Sequence, residues 1–212
     1  MKVILRYVKR GSMRFLSNLE TLKAVERNLR RAKVDMIFTS GFHPMPKISY
    51  LDSMATGVVN RALYMSLEVR EWNEKVFESL KQTALRGLDP MDFWLDDLDI
   101  NSTVSGYSFS LILEEKALRV FPSGETIVEK GRRKRRYELK DLVEKLKVKR
   151  LKNFILVEYT LKKENLFSPW SLVNSIVKGD GIFIPVCEEA LVSDEGFSSF
   201  LSKRRDGEWQ SS

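Results

Sequence analysis

Apolar and polar positions along the chain alternate with two periods, and the switches between them mark the elements. Val3, Ile4, Leu5, Tyr7 and Val8 form a strand-like run closed by the turn sequence Lys9-Arg10-Gly11-Ser12. Leu19, Leu22, Val25, Leu29 and Ala32 then recur at helical spacing and predict a helix over 17–32 with those residues buried. Ser17 and Glu20 have capping-box spacing, in which the serine oxygen accepts from a backbone N–H and the glutamate reaches back. Residues 35–39 read as a second strand and 62–69, alternating with one solvated face, as a third. Val76, Phe77, Leu80 and Ala84 give a second helix ended by Gly87, and 91–95 give a fourth strand. The order β-α-β-β-α-β over 1–99 predicts an α+β domain of ferredoxin-like arrangement, an antiparallel sheet with two helices on one face.

Residues 98–105 are polar and aperiodic and read as a boundary. Beyond it Tyr107, Phe109, Leu111 and Leu113 alternate as a strand. A hairpin follows with arms near 126–129 and 133–137 around Lys130-Gly131. A short helix fits Leu139, Leu142, Val143 and Leu146, and 154–161 is a strongly apolar strand. Ser168-Pro169 opens a helix with a cap and a first-turn proline, Trp170, Val173 and Val177 line its inner side, and Gly179 ends it. These signals predict a second α+β unit of related shape over 106–192, followed by a loosely ordered tail, 193–212.

The 212 residues with 43% apolar content are ordinary for one or two globular domains. No stretch reaches eighteen apolar residues, and charges interrupt the first ten positions, so the chain is read as a cytoplasmic protein with no membrane partner. Cys187 is the single cysteine and His43 the single histidine, which leaves no intrachain disulfide and no thiolate cluster for zinc or iron–sulfur; no cofactor is expected.

The net charge of +7 is unevenly placed. Lys130, Arg132, Arg133, Lys134, Arg135 and Arg136 put six cations into seven residues, without an acid. Such a block attracts polyanions, and counterion release from a phosphate backbone is its commonest use; the other reading is a solvated hairpin tip. Lys23, Arg27, Arg30 and Arg31 make a second basic stripe, but Glu20 and Glu26 lie at pairing distance along the helix, and a salt-laced surface is the preferred reading.

The stretch 39–50 concentrates unusual chemistry. Pro44 and Pro46 fix their own φ and push His43 and Met45 into extended geometry, which predicts a stiff loop presenting Phe42, His43 and Lys47. Either this loop faces a ligand, or Phe42 and Met45 plug a core while His43 bonds a carbonyl.

Arg14-Phe15-Leu16-Ser17-Asn18-Leu19-Glu20, Leu29-Arg30-Arg31-Ala32, the run from Gly41-Phe42-His43-Pro44-Met45-Pro46-Lys47 to Tyr50, and Gly57 before the Tyr64 strand together resemble the radical SAM-linked protein family. Its members are domains of unknown function fused behind, or encoded beside, cobalamin-binding radical SAM proteins. The likeness covers about residues 1–180 in order. Asn18 and Glu20 stand where the family usually has histidine and aspartate, and Met45 where a second histidine is frequent, so chemistry resting on those histidines would be absent here. The resemblance implies association with a radical SAM enzyme. One cysteine cannot supply that enzyme's three-cysteine cluster, which makes this chain a partner or accessory. The ferredoxin-like pattern is also similar to the RNA-binding modules of CRISPR repeat-processing endoribonucleases, a likeness at the level of fold.

Three function classes follow. A non-catalytic RNA-binding or substrate-presenting module needs a positive surface and stacking contacts, which Phe42, His43, Lys47 and the basic hairpin supply. A metal-independent ribonuclease needs a base for the 2′-hydroxyl, stabilisation of the phosphorane and an acid, for which His43, Lys47 and Tyr50 are the candidates. A protein-interaction scaffold needs neither. The binding module is the preferred expectation, because one histidine without a placed second group falls short of catalysis.

Overall fold

Val3, Leu5 and Tyr7 point to one side of the first strand and Ile4 to the other, and all four are buried, so this strand is covered on both faces. The computed structural model describes residues 1–131 and 133–205. In chain order they form β1 (Lys2–Lys9), α1 (Asn18–Arg31), β2 (Ile48–Tyr50), β3 (Val59–Glu68), α2 (Glu74–Gln82), β4 (Leu88–Leu95) and α3 (Ile100–Thr103). There follow β5 (Gly106–Glu114), β6 (Ile127–Lys130), β7 (Arg135–Glu138), α4 (Leu139–Leu142), β8 (Val143–Leu151) and β9 (Phe154–Lys162). The chain closes with α5 (Pro169–Ile176), β10 (Phe183–Val192), β11 (Glu195–Gly196) and α6 (Phe197–Arg205).

The fold is mixed α+β around one large, mostly antiparallel sheet of order β4-β1-β3-β10-β5-β9-β8, with β2 on β3 and β11 on β10. β1 runs antiparallel to β3 and β4. Two strands share the free edge of β3. β2 pairs with its far end, Ile48 opposite Leu67 and Tyr50 opposite Met65, while β10 lies parallel to its near end, Val186 opposite Val59 and Cys187 opposite Asn60. From there β10 pairs antiparallel with β5 from Phe183 to Leu191. The two halves expected as separate units therefore share hydrogen-bonded strands, and the sheet crosses the boundary expected at 98–105.

One core packs α1 and α2, through Val25, Leu29, Phe77 and Leu80, against Val3, Leu5, Tyr7, Met65 and Leu67. The second lies on the opposite face and runs the width of the sheet, from Ile4, Tyr64 and Trp94 to Tyr107, Phe109 and Val157, closed by Leu172 of α5, Phe197 of α6 and Val128 of β6.

Both helix starts read from the sequence carry their caps. The Ser17 side chain accepts from the Glu20 N–H and the Glu20 carboxylate accepts from the Ser17 N–H; the Ser168 oxygen accepts from the Trp170 N–H, with Pro169 at the first turn. The buried face of α1 is rotated from the expected one. Leu19 is exposed, whereas Thr21 and Asn28 are buried because each has a partner: Asn28 accepts from the Tyr7 hydroxyl at 3.0 Å and donates to the Leu80 carbonyl at 3.1 Å, and the Thr21 hydroxyl donates to the Ser17 carbonyl at 2.8 Å.

Three expectations are corrected, and one strand is added. The strand expected at 35–39 makes only single bridges, Met36 with Val69 and Phe38 with Pro46, since Pro46 has no N–H to extend a ladder; the regular strand is β2. The helix expected over 139–146 stops after one turn, because Leu146 and Val148 alternate with Lys145, Lys147 and Lys149 and continue as β8. β10 is an element that the hydrophobic pattern does not announce. The tail is ordered through Arg205: Phe197, Phe200 and Leu201 fall at helical spacing and bury on the sheet, the Trp94 indole N–H donates to the Ser202 hydroxyl, and the Arg204 guanidinium grips Asp96 at 2.6 and 3.1 Å. Residues 206–212 lie outside the described residues. Among the described residues no helix is long and apolar enough to cross a membrane.

Two outcomes test this packing. Phe197 is fully buried with its ring 5.0 Å from that of Tyr64, so Phe197→Ala is expected to cost about 3–5 kcal/mol in denaturant unfolding. Burial acts to raise the Asp96 carboxyl, but the Arg204 hydrogen bond, the Leu98 N–H and the Arg204 charge outweigh it and hold it below its usual range. A carboxyl depressed on folding stabilises above its unfolded value, about 3.9, and loses that contribution as pH falls through the folded value. The stability gap between wild type and Asp96→Asn is therefore expected to be full at neutral pH and to close below about pH 4.

Candidate nucleic-acid interface

The 39–50 stretch is a small ladder with a bare tip. Thr39 N–H donates to the Met45 carbonyl at 2.8 Å, the Thr39 hydroxyl accepts from Met45 N–H at 3.0 Å, and Lys47 N–H donates to the Ile37 carbonyl at 2.9 Å. Residues 40–44 span the tip, with Gly41 at φ +131°. Phe42 is 99% exposed, its ring edge-on to the imidazole of His43 at 6.0 Å, and His43 and Met45 are exposed as well. The core-plug reading of Phe42 and Met45 is thus overturned: the ladder holds both residues away from either core.

His43, Lys47 and Tyr50 do not form one constellation. The Lys47 ammonium pairs with Glu68 of β3 at 3.1 Å. Tyr50 turns inward from β2 onto the α1–α2 core, where burial, with Glu26 adding, pushes its phenol up. Among the described residues no hydrogen bond joins any two of the three. Of the α1 stripe, Arg30 pairs with Glu26 at 2.6 Å and lies over the Phe38 ring at 5.7 Å, whereas Arg31 donates to the Thr83 carbonyl.

The motif residues near 14–17 are tied to distant parts of the chain. Gly57 N–H donates to the Arg14 carbonyl at 2.8 Å. Gly57 has φ +88°, and a Cβ there would stand 2.7 Å from Trp170 Cζ2 and 3.7 Å from Phe15 Cε1, so glycine is required on both counts. The Trp170 indole N–H donates to the Thr56 carbonyl at 2.8 Å.

The basic block occupies the hairpin β6–β7, a two-stranded sheet with Glu129 opposite Arg136 and Lys130 opposite Arg135. Val128 anchors it in the wide core, and the Lys130 ammonium donates to the Glu164 carbonyl at 2.7 Å. Lys130 is therefore committed to the fold. Arg133, Lys134, Arg135 and Arg136 are exposed. Lys134 lies 4.0 Å from Glu129, and no carboxylate among the described residues pairs with the other three. Arg132 lies outside the described residues. Beside the hairpin, between β6 and α5, is a cleft of about 500 Å3 whose walls include Arg119 and Asn174, residues with no motif to reveal them in sequence.

Cys187, in β10, is buried, and burial, with Glu189 and Glu188 adding, raises its thiol well above the usual value, so it stays a neutral core residue. Among the described residues no group of three or more His, Cys, Asp or Glu side chains is placed to hold a metal ion.

A hairpin of exposed cations and an exposed aromatic tip are carried on a mixed α+β sheet, and among the described residues no hydrogen bond joins any two of His43, Lys47 and Tyr50. Residues 2–169 match the model of an uncharacterized protein family conserved in bacteria, DUF2344, and the chain belongs to that family. No curated protein matches it.

The two loops separate in their demands on the fold. Phe42→Ala and His43→Ala are expected to change stability by no more than about 0.5 kcal/mol, since neither side chain is buried. Gly57→Ala, with a positive φ and an indole in the way, is expected to cost more than about 1 kcal/mol and to lower the melting temperature.

Proposed function

We propose that this protein is a non-catalytic RNA-binding or substrate-presenting accessory module that works with a radical SAM enzyme. The observation that carries the reading is the row Arg133, Lys134, Arg135 and Arg136, exposed on an anchored hairpin, in which Lys134 stands 4.0 Å from Glu129 and the three arginines pair with no carboxylate among the described residues. Arginines held in place but not neutralised release counterions from a phosphate backbone on contact. Phe42 and His43 add exposed flat rings at the loop tip, the kind of surface on which unpaired bases stack.

The first half is read as ferredoxin-like, an assignment supported by the antiparallel order β4-β1-β3-β2 and by α1 and α2 on one face. The radical SAM partnership rests on the sequence resemblance at Arg14 to Glu20 and Gly41 to Tyr50. With Cys187 alone, this chain's part in such a pair is to bind or present, and the chemistry belongs to the partner.

The test is binding of a fluorescent single-stranded RNA at several salt concentrations. The triple substitution Arg133→Glu, Arg135→Glu and Arg136→Glu is expected to weaken binding at least about tenfold and to reduce the slope of log affinity against log salt by about 0.7 for each phosphate no longer neutralised. Stability should hold, because these side chains are exposed. Unchanged affinity and slope in a folded variant would contradict RNA binding and favour a protein-interaction scaffold; metal-free cleavage by wild type, abolished in His43→Ala, would favour the ribonuclease.

A further inference from the structure

The cleft beside the hairpin sets charged side chains of both signs beside open apolar surface. On β6, Val128 points into the core, so its neighbours Ile127 and Glu129 face the other way, into the cleft, and Arg136 lines it from the opposite strand in register with Glu129. The α5 wall presents exposed Asn174 between Ser171 and Ser175. Arg119 and Val120 form the third wall and are fixed in place: Arg119 N–H donates to the Ile176 carbonyl at 2.7 Å, its guanidinium donates to the Ser175 carbonyl at 3.0 Å, and Leu118 bridges to Val177.

Arg136 and Glu129 are cross-strand neighbours of opposite charge, yet no salt bridge joins them among the described residues; the Glu129 carboxylate instead has the exposed Lys134 ammonium at 4.0 Å, a loose pair that leaves room for another donor. Side by side they present donors next to acceptors. Between them and Arg119, Val120 at 48% and Ile127 at 40% exposure leave apolar surface open within a polar cleft. A ligand matching this set has a flat face, adjacent acceptor and donor edges, and an anionic end.

We propose that the cleft takes one unpaired guanine nucleotide of a bound RNA. Among the four bases guanine alone has two acceptors, O6 and N7, beside two donors, N1–H and the exocyclic N2–H. Arg136 donates to the first pair and the Glu129 carboxylate accepts from the second. Ile127 lies against the base face and Arg119 meets the phosphate. The inference rests on the RNA-binding reading of the hairpin and adds to it a base preference and a site.

Calorimetric titration of the intact protein with GMP, IMP and AMP tests it. GMP is expected to bind about tenfold or more tightly than IMP, which lacks the exocyclic amine, and than AMP, the loss expected when a hydrogen bond to a charged group goes unmade. Glu129→Gln should erase the advantage over IMP, and Arg119→Ala should weaken all three alike; both positions are exposed, and a melting curve confirms the fold. Equal affinity for the three nucleotides, or an advantage that survives in Glu129→Gln, overturns the guanine site. If RNA is still retained by the hairpin with its salt dependence intact, only the guanine site has failed. No nucleotide binding together with no RNA retention overturns both.

Discussion

β10 is hydrogen-bonded to β3 on one side and to β5 on the other, and the rest of the molecule depends on that double pairing. Its parallel contact with β3 spans only Val186 and Cys187, while its antiparallel ladder with β5 runs nearly its whole length. A polar cluster reinforces the short side. The Tyr64 hydroxyl of β3 and the Ser198 hydroxyl of α6 each donate to Glu189 at 2.7 Å, and the Arg6 guanidinium of β1 lies 3.6 Å from the same carboxylate. Burial, with the Glu189 charge adding, drives the Tyr64 phenol upward and keeps it a neutral donor. One carboxylate thus joins β1, β3, β10 and α6, and the polar groups gathered around it satisfy one another.

This frame fixes the candidate surfaces. The hairpin bearing the arginines is anchored through Val128 and the Lys130 ammonium, so its charges project from a rigid base. The 39–50 ladder is tied to the far end of β3 by backbone bonds, with the Glu68 N–H donating to the Lys47 carbonyl at 3.1 Å and β2 paired along β3. The outer edge of the sheet, β8, carries Lys145, Lys147 and Lys149 on its solvated side; of these Lys149 pairs with Glu158 at 2.7 Å and Lys145 with Asp194 at 2.6 Å. Lysines along an edge strand discourage pairing with another chain, which assigns them to protecting the edge and leaves the hairpin as the more open cationic surface.

What the sequence disclosed was local. The Ser17–Glu20 box, the Ser168-Pro169 start and the Lys130-Gly131 turn each act within a few residues, and all three stand in the structure. β10 is illegible in sequence because Pro185, Glu188 and Glu189 interrupt its apolar run and because its partners are remote along the chain, as Ser110 opposite Val186 illustrates. β8 is disguised as a helix because Leu139, Leu142, Val143 and Leu146 fit a helical period over their short span. The basic block is visible as composition, but the exposure of Phe42 and the commitment of Lys130 to Glu164 are tertiary facts. The cleft is more remote still, since Arg119, Glu129, Arg136 and Asn174 come from three separate elements and a connecting segment.

Residue-resolved amide hydrogen exchange on the free protein tests most directly whether β10 makes the two halves one folding unit. The account predicts that the slowest amides of β1, β3, β10, β5 and β9 exchange with a common opening free energy, that of global unfolding, and respond together to denaturant. Separate opening free energies for the β1–β3 and β5–β9 groups, with one half exchanging while the other remains protected, would contradict it.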